Sequence, residues 1–343
     1  MPSPKTPRIL FICKKLVDSY GSSVGLLNSA AFTANGLERD GYATKAVAVD
    51  DMNSIDREVS LFRPTHTIIE AVWVVPQKFI QLIRLHPSVT FIVHIHSKTP
   101  FLAMEGNVVN WIFGYRDLAN VYGPKHIAIS PNSISLREDL DKLGIDSVFL
   151  PNIYCPPDYK LFGWFAPKKT KDTVDIGCFG AIRPLKNHLI QAIAATAYAK
   201  KIGKRLRFHV NSSRIEQQGS EPLKNLRALA AAGCMELVEH GWLSHEKFVE
   251  LVKGMDMGLQ CSFSESFNIV SADFAFNEIP IVVSPDVSWL PESAQADPND
   301  ANNIMEAMER QSRMGSKATL KNLAALKSHN SMATRAWEKW LGK

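Results

Sequence analysis

From one end of the chain to the other, short apolar runs alternate with longer stretches in which apolar positions recur at helical spacing. Strand-length runs fall at Arg8–Cys13, Ala43–Val49, Thr67–Ala71, Thr90–Ile95, His126–Ile129 and Ser147–Leu150. A second series follows at Asp175–Phe179, Leu206–Val210, Glu236–Glu239, Met257–Cys261 and Ile281–Ser284. In the first series the spacing predicts helices over Gly25–Asp40 and Ser133–Leu143, each followed by a glycine, Gly41 or Gly144, suited to a C-cap. In the second it predicts helices over Asn187–Lys201, Pro222–Ala232, Ser244–Lys253 and Asn268–Asn277. The last stretch, Ala318–Lys343, is helical and carries Trp337 and Trp340, which are expected to pack on a neighbouring element. Strands alternating with helices build parallel sheets with helical layers, so the class is α/β.

The alternation breaks once. Pro151, Pro156, Pro157 and Pro167, together with Lys168, Lys169 and Lys171, make a poor element and a good connection. Two α/β domains are therefore expected, 1–153 and 173–317, with 154–172 as the linker and 318–343 as a helix able to pack back on the first domain. A length of 343 residues agrees, because single cores rarely grow past about 250 to 300 residues. Open parallel sheets gather ligands at the carboxyl ends of their strands, so both domains are expected to turn those ends to a shared cleft.

Composition narrows the chemistry. Gly and Pro number 19 each, which excludes collagen-like and low-complexity chains. Five scattered cysteines, Cys13, Cys155, Cys178, Cys234 and Cys261, give no disulfide framework and no C-x-x-C pair, and the ten histidines form no zinc signature, so no metal site and no cofactor are expected. No apolar run approaches the roughly 20 residues that span a bilayer, and no signal-peptide core follows MPSPKTPR; a cytoplasmic protein without integral membrane association is the expectation. The net charge is +5, of which the first 153 residues carry +1 and the remainder +4. The local excess at Lys200, Lys201, Lys204, Arg205 and Arg207 reads as solvated surface charge before it reads as a nucleic-acid stripe.

The richest segment is Gly258-Leu-Gln-Cys-Ser-Phe-Ser-Glu265-Ser-Phe-Asn268-Ile-Val-Ser-Ala-Asp273, with Pro280 ahead of the next strand. A strand enters a Ser-rich loop that holds one carboxylate. A helix then opens near Asn268 and carries a second. Unpaired N–H groups at Asn268, Ile269 and Val270, with the positive end of the helix dipole, suit a phosphate. Carboxylates on either side of such a phosphate accept hydrogen bonds from hydroxyls, as a sugar and a ribose would offer.

This segment resembles the acidic motif of retaining GT-B glycosyltransferases, glycosyltransferase family 4 in particular: Glu, seven residues, Glu, then Pro. Glu265 holds the first place and Asp273 the second, one methylene shorter, while Asn268 stands at the family's usual Gly. Ile176-Gly-Cys-Phe-Gly180-Ala-Ile-Arg183-Pro-Leu-Lys186-Asn-His resembles the family's strand, Gly-Arg turn and Lys that neutralise the donor diphosphate. Ala181 occupies the family's Arg position, and Arg183 is taken as its substitute. Tyr20-Gly-Ser-Ser-Val-Gly25 resembles the glycine loop after the first strand, with Gly25 beside the donor phosphates. Phe91-Ile-Val-His94-Ile-His96-Ser97 resembles the segment whose terminal His faces the transferred sugar, which selects His96 and leaves His94 as a satisfied core histidine.

The resemblance implies transfer of a sugar from a UDP-linked donor to a hydroxyl acceptor with retention at the anomeric carbon. Lys186 and Arg183 would stabilise the departing diphosphate, Glu265 would hold sugar hydroxyls, Asp273 the ribose and Trp242 the nucleobase. The acceptor region, Glu70 to Lys78 and Pro100 to Trp111, looks like that of glycosyltransferases encoded by bacteriophages. Glu70, Trp73, Ser97 and Lys98 are its candidate contacts, and a hydroxymethylated pyrimidine in DNA is one candidate acceptor, a surface glycan or small molecule another. A nucleotide-sugar epimerase and a silent sugar-nucleotide-binding module are the alternatives from other classes. Asp139-Leu-Asp141 has the form of a metal-binding Asp-x-Asp but lies inside a predicted helix, where it reads as a solvated face.

Overall fold

In a computed structural model the described residues are 6–15, 24–157 and 172–342, and they fold as two compact units, 1–159 with 329–343 and 160–328. Most of the expected linker, with Pro167, Lys168, Lys169, Lys171 and Trp164, lies outside the described residues, as do Tyr20 to Ser23 of the glycine loop.

The first unit runs β1 (Arg8–Lys14), α1 (Val24–Arg39), β2 (Ala43–Val49), α2 (Ser54–Phe62), β3 (His66–Glu70), α3 (Pro76–Leu85), β4 (Thr90–Ile95), α4 (Thr99–Leu102), α5 (Val108–Tyr122), β5 (Ile127–Pro131) and α6 (Ile134–Lys142). Its strands form a parallel sheet in the order β2-β1-β3-β4-β5. The strands read as nearly continuous apolar runs because both faces are covered. Side-chain alternation along β1 sends Leu10 and Ile12 into one core cluster and Ile9, Phe11 and Cys13 into another.

The second unit runs β6 (Thr173–Gly177), α7 (His188–Lys201), β7 (Arg205–Asn211), α8 (Ser220–Ala231), β8 (Glu236–His240), α9 (His245–Lys253), β9 (Met257–Gln260), α10 (Ile269–Phe276), β10 (Ile281–Val283), α11 (Ala301–Met314) and α12 (Ser316–Leu341). The sheet is again parallel, in the order β10-β9-β6-β7-β8. In each sheet the strand order reverses once, between β1 and β3 in the first and between β6 and β9 in the second. Loops leaving those strands diverge there and open a crevice beyond the carboxyl ends.

The expected strands and helices form with shifts of one or two residues, and Gly41 and Gly144 take the left-handed backbone that a C-cap glycine allows (φ 92° and 67°). One expectation is corrected: Ser147–Leu150 is not a strand. Val148 N–H reaches Ile129 O and Leu150 N–H reaches Pro131 O, but the contact is too brief to form a ladder. Helices α2, α3, α4, α5 and α11 form where no element was predicted.

The boundary between the units falls inside α12, and the distal part of that helix belongs to the first. Trp337 there is fully buried, its ring 5.8 Å from Phe11 and its Nε1–H donating to Pro151 O at 2.9 Å. Truncating a ring of this size leaves a cavity that a packed core closes poorly. Trp337→Ala is expected to cost about 3 to 5 kcal/mol of stability, read as a lowered urea midpoint; an unchanged midpoint would show that the helix end is dispensable.

Candidate active site

In the second unit the loops after β6 and β9, on either side of the strand-order reversal, bring Lys186 and Glu265 together. Gly180 turns the first loop at φ 117°, a conformation open to glycine, and a Cβ there would lie 3.4 Å from Lys186 Cε. The chain then passes through a 3₁₀ turn at Pro184–Lys186, and the Lys186 ammonium bonds Glu265 Oε1 with both side chains largely buried. Burial alone would raise the Glu265 carboxyl; Lys186 and Arg183, with hydrogen bonds from Lys186 and Ser262, outweigh it and hold the group below its ordinary range. Arg183 Nη1 meets Glu216 Oε2 at 3.2 Å, and Glu216 Oε1 accepts from Arg214 Nε at 2.6 Å. The Arg214 guanidinium in turn lies 5.0 Å above the half-buried Trp242 ring. Three of the residues singled out in the sequence, Lys186, Arg183 and Glu265, thus share one electrostatic neighbourhood, and Trp242 is tied to it through Arg214 and Glu216.

Asn268 stands where the related motif has glycine, and the backbone explains the choice. It is left-handed (φ 56°), a region asparagine tolerates better than most residues. Its Oδ1 caps α10 by accepting from Ser271 N–H at 2.9 Å, while its Nδ2 donates to Gln260 Oε1 at 2.9 Å. The cap uses one donor of the first turn; Ile269 and Val270 follow as the first two helical residues, both half-buried.

Asp273 does not face outward as a bare carboxylate. It is 1% exposed, and its Oδ1 lies 2.6 Å from His245 Nε2 at the start of α9. Burial would lower the His245 pKa, and the hydrogen bond and charge of Asp273 reverse that and raise it. Neither His245 nor Glu216 was singled out in the sequence. His245 sits 28 positions from Asp273, a separation that carries no motif.

In the first unit, Glu70 is opposite His94 in the β3–β4 register, and His96 follows β4 on the same side. Glu70 Oε2 lies against both rings, at 3.1 Å from His94 Nδ1 and in close contact with His96 Nε2. The other His94 nitrogen lies 2.8 Å from Leu150 O. Both His94 nitrogens thus face oxygen atoms inside the unit. Burial would raise the Glu70 carboxyl; the two imidazoles outweigh it and hold it at about 2. Glu70, expected at the acceptor, is corrected: at 1% exposure its carboxylate is spent on the histidines beneath the surface. His96 has Asn132 Nδ2 3.2 Å from its Nδ1, so both ring nitrogens are engaged within the unit. Trp73 packs half-buried against the core, Ser97 and Lys98 are half-buried after β4, and Gly25 lies in the first turn of α1 with open space at its Cβ position. Asp139 lies in α6, bonded to Thr99 and Lys142.

Two parallel five-stranded sheets, each with a strand-order reversal and helices on both faces, define a two-domain α/β protein of the GT-B fold. Solved structures with this fold include a glycosyltransferase from Rickettsia africae, 12% identical, with a TM-score of 0.69 over 98% of either chain. HepE from Anabaena in complex with UDP and glucose is 10% identical, with a TM-score of 0.65 over 97% of this chain and 99% of its own. A UDP-forming trehalose-phosphate synthase from Burkholderia xenovorans is 9% identical, with a TM-score of 0.61 over 98% of either chain. No family model matches the sequence, and no curated protein matches it. Among the described residues no helix is long and apolar enough to cross a membrane.

His188, directly after Lys186 and Asn187, is 1% exposed, and burial followed by the charges of Lys186 and Arg183 lowers it to about 3. Its folded pKa lies below the unfolded value, so the unfolded chain binds the extra proton between about pH 6.5 and 3. Stability is full above that window and is lost as pH falls through it. Between pH 7 and pH 5 the protein should lose about 2 kcal/mol more than His188→Leu does; equal losses in urea titrations would refute the assignment.

Proposed function

We propose that this chain is a retaining glycosyltransferase of the family 4 type, moving a sugar from a UDP-linked donor to a hydroxyl acceptor. The observation that carries the reading is the convergence of Lys186, Arg183 and Glu265 beyond the carboxyl ends of β6 and β9, with the capped start of α10 beside them. It is supported by the fold shared with a glycosyltransferase, with a protein holding UDP and glucose and with a UDP-forming synthase.

In this reading the second unit binds the donor. The diphosphate takes the N–H groups at Ile269 and Val270 and draws the Lys186 ammonium from its pairing with Glu265. The same ammonium, with Arg183, stabilises charge that develops on the leaving diphosphate. Glu265, released from the lysine, accepts from hydroxyls of the transferred sugar. The phosphate itself assists removal of the acceptor proton, so no enzyme nucleophile is required. Asp273 acts on the ribose through His245, whose imidazole stands between the buried carboxylate and the solvent side. Trp242, with Arg214 over one face, is assigned to the nucleobase.

The first unit is assigned the acceptor, with Ser97 and Lys98 following β4, and His96 before them is assigned to orienting the transferred sugar. A near-neutral first domain suits a glycan or small-molecule hydroxyl better than a polyanion. The comparisons lend no support to a DNA acceptor or a bacteriophage origin.

The test is turnover of UDP-sugars, measured as released UDP, after a thermal-shift screen has identified the donor. Lys186→Ala is expected to lower kcat by about 10²- to 10³-fold, the loss typical of one removed charge stabiliser, and Glu265→Ala should lower it comparably while the fold is retained. Unchanged turnover in both variants would overturn the mechanism.

A further inference from the structure

The Glu70 cluster holds more acceptors than neutral rings can satisfy. His94 Nε2 lies 2.8 Å from Leu150 O, a carbonyl that only accepts, and His94 Nδ1 lies 3.1 Å from Glu70 Oε2, an oxygen of an ionised carboxylate. A neutral imidazole carries one N–H, so either tautomer leaves a ring lone pair against an oxygen lone pair. The contact becomes favourable when a cation sits between them. A second ring proton is one such cation; a metal ion is the other.

The surroundings favour the metal. His96 Nε2 converges on the same Glu70 Oε2, and Glu70, His94 and His96 each offer one ligand atom within 4.8 Å of the others. Two imidazole nitrogens and one carboxylate oxygen are a ligand set for zinc-class divalent ions, whereas calcium and magnesium call for oxygen alone. With Nδ1 on the ion, His94 Nε2 carries the ring proton and donates to Leu150 O, the outer contact that fixes tautomer and ring orientation in metal-binding histidines. His96 is bordered by the Asn132 amide, itself bonded to Asn152 Oδ1 at 2.8 Å. Those two amides can turn together to present an oxygen to His96 Nδ1.

We propose that Glu70 Oε2, His94 Nδ1 and His96 Nε2 bind one zinc-class divalent cation at the carboxyl ends of β3 and β4. The ion bridges His94 Nδ1 and Glu70 Oε2, ties the two strands together and fixes the His96 ring. The inference does not rest on the glycosyltransferase reading, because every ligand lies in the first unit and their own geometry carries it.

Full-length protein is stripped with a chelator, dialysed and titrated with Zn²⁺ against a chromophoric competitor, and with Co²⁺ by its visible ligand-field bands. Saturable uptake of one equivalent is expected, with a rise in the unfolding temperature. Affinity should fall at least 100-fold in Glu70→Gln and in His96→Ala, while His86→Ala, a histidine paired with Asp56 elsewhere on the unit, should bind as the parent does. His96 is partly exposed, so its alanine variant keeps the fold should Glu70→Gln not. No saturable binding at micromolar metal would show that the cluster holds no such ion, and binding equal in parent and His96→Ala would place the metal elsewhere; either result overturns the proposal. Donor binding by the second unit is read separately by UDP-sugar thermal shift, so failure of one reading is distinguishable from failure of the other.

Discussion

A charge withdrawn from water must be paired, and in this protein that requirement organises the carboxyl ends of both sheets. Lys186 and Glu265 are both buried and held against each other, although the desolvation of such a pair can exceed its Coulombic gain. An ion pair of that kind is weak evidence of stability. Its placement says more: it spans two loops on either side of the strand-order reversal. Supporting contacts keep the pair in place. Glu265 N–H donates to Asp286, Gln260 anchors Asn268 on one side and Phe179 O on the other, and Asn187 Nδ2 ties its loop to Cys261 O.

The same rule governs the first unit with different residues. Among the described residues Glu70 meets two imidazoles, one on the adjacent strand and one directly after it, rather than a lysine or arginine. Because β3 and β4 are parallel and in register at Glu70 and His94, the carboxylate and the rings are fixed by the sheet rather than by a loop. Cys13, on β1 beside β3, feels the arrangement: burial first, and then the Glu70 charge, push its thiol well above the ordinary value. The thiol stays neutral and adds no second negative charge to the row.

How much of this was legible in the sequence depended on whether the information was local. Strands with two covered faces announce themselves as apolar runs, so the strands of both units followed from pattern alone. Glu265 and Asn268 were singled out because a strand, a turn and a helix start place them within one short segment, while Lys186 was singled out only through the resemblance of its segment to a family motif. Helices α3 and α5 were missed for local reasons too: α3 opens on Val75-Pro76, which reads as loop chemistry, and Asn107 before α5 makes no side-chain capping bond. Pairings across strands left no trace. Glu216 joins Arg183 across 33 positions, and Glu70 meets His94 across 24, distances that only the sheet order closes.

Asp273 shows how a one-methylene change can alter a site without emptying it. A glutamate at this place on α10 would carry its carboxylate outward as an acceptor. The shorter side chain stops beneath the surface, where an isolated charge would be costly, and His245 supplies the missing partner from the next helix. The ring left on the solvent side has its pKa raised by Asp273 and so favours the imidazolium, a donor where the longer acid would have been an acceptor. The pair therefore keeps the buried acid matched by a charge of opposite sign from the neighbouring helix.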